Sequence, residues 1–69
     1  MPVEFPNPTN DYDADCKAGA ALCQEVLTMA RQTGNYQPLH FALLNLKPET
    51  RGGVAIGFAL EAAKAASRV

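Results

Sequence analysis

A chain of 69 residues with a net charge of −1 and 48% hydrophobic content is one small globular domain and is not generally disordered. The near-zero net charge excludes bulk attraction to nucleic acid or to an anionic membrane. Twelve of the hydrophobic residues are alanine and none is tryptophan, so helices form easily while little apolar area is available to bury. A domain of this size rarely draws more than about 3–5 kcal/mol from its own core, and small chains commonly add a disulfide, a metal or a partner.

Residues 1–12 read as an extended arm. Pro2, Pro6 and Pro8 fix the backbone at three points, and Asn7, Asn10 and Asp11 add turn character. Val3, Phe5 and Tyr12 stand as large apolar groups among polar neighbours, which suits a strap lying on a surface. Phe5 is expected to pack into a groove between helices, of its own chain or of a neighbour. Residues 13–69 read as a three-helix domain.

The first helix is expected over residues 13–32, with Asp11 or Asp13 as its N-cap and Gly34-Asn35 as a left-handed stop. Leu22, Val26 and Met29 make one apolar stripe, and Cys16, Ala20, Cys23, Leu27 and Ala30 a second. The second helix is expected over 38–46, opened by Pro38 after an extended Gln37. Leu39, Phe41, Ala42, Leu43, Leu44 and Leu46 cover nearly its whole circumference. A helix apolar all round is a buried helix, so it is expected at the centre of the domain, and aspartate at either Leu43 or Leu44 is expected to be disruptive. Two alanine-rich neighbours can hardly enclose such a helix, which points to a second chain.

Pro48 ends that helix by forcing Lys47 out of helical backbone. The third helix is expected to begin between Pro48 and Gly53 and to run to about Ser67, with Val54, Phe58, Ala62 and Ala65 on one face and Ile56, Leu60 and Ala63 on the next. Glu61, Lys64 and Arg68 mark its wet side. Gly19, Gly53 and Gly57 lie inside helices, where each costs about 1 kcal/mol against alanine, so they suggest close helix crossings. Charge divides along the chain. Residues 1–30 carry five acids against Lys17, net −4, and residues 31–69 carry five bases against Glu49 and Glu61, net +3. Matching of helix dipoles at the two ends of a bundle accounts for this, and head-to-tail pairing of chains is the alternative.

Chemistry has few places to reside. Cys16 and Cys23 share a helical face but stand roughly 10.5 Å apart along the axis, too far for one metal or an intrahelical disulfide, and they read as small core thiols. His40, the sole histidine, lies on the apolar second helix and reads as a hydrogen-bonded or partly exposed residue rather than a general base, and Ser67, the sole serine, lies at the end of the last helix. Asp11, Asp13 and Asp15 form a capping pattern without the glycine and distal glutamate of a calcium loop. Thr50, Arg51, Gly52 and Gly53, at a helix start, form a candidate anion site without the spacing of a phosphate loop. The second and third helices also allow a helix-turn-helix reading, but Arg51 is the one base-reading side chain at the start of the third.

No basic or apolar leader opens the chain, and the longest apolar stretch, Val54 to Leu60, is too short to span a bilayer. A cytoplasmic location with reduced thiols is expected. The sequence thus reads as an all-α, non-catalytic interaction module with no cofactor and no metal. It acts as a homo-oligomer or as a small subunit of a larger protein, with Phe5, Leu39, Phe41, Leu43, Leu44 and Leu46 as the interface. A small DNA-binding regulator and an anion or small-ligand binder at residues 50–53 are the alternatives.

Overall fold

The computed structural model describes residues 4–67. It contains four helices, α1 (Tyr12–Thr33), α2 (Gln37–Leu44), α3 (Pro48–Arg51) and α4 (Gly53–Ser67), and no strand among the described residues. The protein is a small all-α domain. Of the residues singled out above, Pro2, Val3 and Arg68 lie outside the described range.

Local chemistry explains each boundary. The Asp11 carboxylate accepts from the Ala14 amide at 3.2 Å and caps α1, and Tyr12 is already helical, one residue earlier than expected. Gly34, at φ 73°, ends α1 by donating its amide to the Ala30 carbonyl at 2.8 Å. Gln37 proves helical, because Pro38 lies in the first turn, where its missing amide hydrogen is no loss. The expected end at residue 46 is also corrected. Asn45 stops α2 by turning its side-chain amide onto the Phe41 carbonyl at 2.9 Å, in competition with the helical ladder.

Lys47 then adopts a left-handed conformation (φ 46°, ψ 63°), as the following proline disfavours helical backbone there. The single helix expected after it is divided. One turn, α3, is separated from α4 by Gly52 at φ 53°, ψ −125°, a backbone region open only to glycine.

The core lies between α1 and α4. Asp15 packs beside Gly53, Cys16 against Gly57, Gly19 between Val54 and Phe58, and the Gln24 side chain donates to Glu61 at 2.9 Å. From Asp15–Gly53 at one end to Gln24–Glu61 at the other, the contacts advance in the same direction along both helices, so α1 and α4 are parallel and their N-termini share one end of the molecule. Two positive helix ends side by side repel, and Asp11, Asp13 and Asp15 sit at that end; Arg31 and Lys64 lie in the last turns at the other. The charge asymmetry of the sequence therefore has a local structural account.

Glycine permits the approach. A Cβ on Gly19 would strike the Val54 carbonyl oxygen, one on Gly57 the Cys16 carbonyl oxygen, and one on Gly53 would come within 2.9 Å of the Asp15 Cβ. Cys23, Val26, Ala42 and Phe58 form the buried cluster.

The largest correction concerns α2, which is not the buried centre. Ala42 is its one buried residue, and Phe41, Leu43 and Leu44 are 57%, 40% and 66% exposed. Backbone-to-backbone seating of α1 on α4 leaves no space between them for a third helix, so α2 lies against their flank. The molecule measures 35 × 25 × 16 Å. With Phe41, Leu43 and Leu44 exposed, no described residue encloses the outer side of α2. The second expected face of α4 is exposed as well, at Ile56 and Leu60. Met29 of α1 likewise points outward, while Cys23, Val26 and Ala30 turn inward.

Candidate functional site

The six apolar residues expected to form an interface divide into two sets. Phe5, Leu39 and Leu46 are half-buried and pack against the core cluster. Phe41, Leu43 and Leu44 face outward, and Tyr36, which the sequence reading does not single out, is 51% exposed just before α2. The outward set carries no charge. From Gln32 to Leu46 the chain has no Asp, Glu, Lys or Arg. His40 is exposed on the same helix, with its ring 5.7 Å from that of Phe41.

Two anchors dock the arm. The Phe5 ring lies 5.3 Å from that of Phe58, and the Arg51 guanidinium lies over the Phe5 ring at 4.4 Å. At the far end the Thr9 amide donates to both oxygens of Asp15 at 3.0 Å, and the Thr9 hydroxyl donates to Oδ1 at 2.8 Å. Asp15 is 5% exposed, so its carboxylate, withdrawn from water, is satisfied by the arm.

Sequence reasoning groups Asp15 with the capping acids. A signal that separates it is present: Asp15, Gly19, Cys23, Val26 and Ala30 follow a 4-4-3-4 spacing, and all five are buried. Counting apolar residues alone passes over a stripe that begins with an acid and a glycine.

The groups expected to form an anion site are engaged elsewhere. Thr50 donates its hydroxyl to the Lys47 carbonyl at 3.1 Å. Arg51 turns back to the carbonyls of Asn45 and Leu46, where it serves as a cationic cap on the end of α2. Gly53 is buried against Tyr12 and Asp15. The opening residues of α4, which a DNA-reading helix would turn to the bases, are buried at Gly53, Val54 and Ala55.

A groove of about 270 Å³ between α1 and α4 is lined by Gln24, Leu27, Thr28, Arg31, Glu61 and Ala65, and it is small beside typical ligand pockets of about 300–1,000 Å³. A larger depression of about 490 Å³ has walls from α1 alone. No group of three or more His, Cys, Asp or Glu side chains converges among the described residues. No helix of the described residues is long and apolar enough to cross a membrane.

Both cysteines are free thiols. Burial, and then the nearby Glu61 carboxylate, push the Cys23 thiol up from its ordinary value. A raised folded-state value stabilises the fold below the unfolded thiol's value of about 8.5, and that contribution is lost as pH rises through the higher folded value. Cys16 is half-buried, and its thiol, one helical turn from the Tyr12 side chain, is the main cause that raises the Tyr12 phenol. With iodoacetamide at pH 8, one thiol per chain is therefore expected to react quickly and Cys23 only on the timescale of unfolding. Equal rates for the two would show that Cys23 is not enclosed.

Fold and surface together define a small helical domain with an uncharged apolar flank. Comparison of the chain with protein-family models, with curated proteins and with solved structures finds no match.

Proposed function

We propose that the protein is a non-catalytic helical interaction module that docks through the outer side of α2, as a homo-oligomer or as a small subunit of a larger complex. The observation that carries this reading is the exposure of Phe41 and Leu44, at 57% and 66%, on a helix without a charged residue. Burying a Leu or Phe side chain fully contributes about 1.5–3 kcal/mol, so covering this face yields more than the thin core can readily spare. A stable interface takes about 800 Å² per partner, near one sixth of the 4799 Å² surface. A largely apolar face without Asp, Glu, Lys or Arg can meet a second copy of itself without like-charge repulsion. The two thiols, free and on one helix, favour action in a reducing compartment such as the cytoplasm.

The test is Leu44→Asp. Leu44 is two-thirds exposed, so the substitution is expected to shift stability by no more than about 0.5 kcal/mol. This replaces the sequence-based expectation that aspartate there disrupts the fold. Light scattering should give the wild-type chain a mass that rises with concentration above 7.4 kDa, and the variant a mass of one chain throughout. A wild-type chain that stays monomeric at high concentration overturns self-association and leaves the subunit form. An oligomer that Leu44→Asp does not weaken overturns the role of α2.

A further inference from the structure

We propose that the N-terminal arm controls the order of α2 through Arg51. One guanidinium does two tasks: it holds the Asn45 and Leu46 carbonyls at the end of α2, and it covers the ring of Phe5. Phe5 is in turn set against Phe58, the largest fully buried side chain. The guanidinium is thus held from both sides. While Phe5 is docked, Arg51 has a surface to lie on and its donors stay aimed at α2. When Phe5 leaves, the side chain regains its rotamers, and the Asn45 carbonyl at the C-cap of α2 and the Leu46 carbonyl just beyond it lose their cationic donor.

The helix needs that cap. It has eight residues, no side-chain N-cap and one buried residue, Ala42. An isolated helix of that length is not stable in water. The Phe5 end can leave without the rest of the arm, because Thr9, four residues on, keeps its own anchor on the buried Asp15 carboxylate. Arm docking therefore selects an ordered α2, and arm release a frayed one. The biological meaning rests on α2 being the docking face, whereas the coupling itself does not.

Hydrogen exchange on the chain at a dilution where its mass is 7.4 kDa tests the coupling without any partner. Phe5→Ala is expected to speed exchange of the Phe41 to Asn45 amides roughly two- to five-fold, the range a cation–π contact of this exposure provides. The Cys23 and Val26 amides of α1 should keep their wild-type rates. Phe5→Leu, which keeps apolar contact with Phe58 but offers no ring to Arg51, should give the same local effect. In an Arg51→Met background the α2 amides should already exchange quickly, and Phe5→Ala should add nothing. The proposal is overturned if Phe5→Ala leaves α2 unchanged, if it speeds α1 and α2 equally, or if its effect adds fully to that of Arg51→Met. Because exchange is read on the single chain, a failure of self-association leaves this result standing, and the reverse also holds.

Discussion

Alanine at Gly57 is expected to unfold the domain. The added methyl would meet the carbonyl and Cα of Cys16, which are backbone atoms that no rotamer change can move aside. Overpacking a core typically costs about 1–3 kcal/mol when side chains can yield. Here α1 and α4 would have to separate, and the surface they share makes up most of the core. The better helix propensity of alanine returns only about 1 kcal/mol, against a total of about 3–5 kcal/mol for a domain of this size. Gly19→Ala is expected to behave alike, since its methyl would strike the Val54 carbonyl.

Gly34→Ala separates this effect from glycine chemistry in general. Gly34 has φ 73° and no atom within 4 Å of an added Cβ, so the cost is backbone strain of roughly 1–2 kcal/mol. The domain should stay folded and melt roughly 5–15 °C lower. Circular dichroism melts of the three variants decide the matter. A Gly57→Ala protein that melts within a few degrees of wild type would mean that the two helices do not touch there.

Truncating Phe58 is expected to have the next largest effect. Its side chain is 0% exposed and borders Cys23, Val26 and Ala42, with the Phe5 ring beside it. A buried Phe→Ala change costs about 3–5 kcal/mol, which again approaches the whole stability of the domain, and it also removes the seat of the arm. Leu60→Ala is the matched comparison, two positions along the same helix and 58% exposed, and it should cost no more than about 0.5 kcal/mol. Urea unfolding monitored by ellipticity reads both. Similar midpoints for the two variants would contradict the orientation of α4.

Much of the local structure is legible in the sequence because its causes are local. Asp11 caps α1 by reaching its own chain three residues on. Gly34 and Pro48 act on the residues beside them. The interior glycines can also be read, since glycine within a helix is unfavourable unless another backbone needs the space, and Gly19 and Gly57 lie where α1 and α4 cross, with Gly53 beside them at the first residue of α4. The candidate face is legible only in part. Composition marks α2 as apolar on every side, but composition cannot distinguish a helix enclosed by its neighbours from one left open on a flank. Asp15 and Arg51 escape for a different reason. Each acts on a segment several residues away, Asp15 on Thr9 and Arg51 on Asn45, Leu46 and Phe5, and their sequence context resembles ordinary capping and turn chemistry.

Residue order alone makes this protein helical, sets most helix ends to within a residue or two, and requires two helices to cross closely, because capping, proline and glycine effects are settled within a turn or two of chain. Which faces lie inside is a property of the assembled helices. The parallel seating of α4 on α1 places two helix N-termini together, turns Asp15 inward to hold the arm, and puts Arg51 between Phe5 and the end of α2. It also leaves Phe41 and Leu44 uncovered. Each of these outcomes depends on the direction and distance of one helix relative to another, and the close backbone approach at Gly19 and Gly57 sets both.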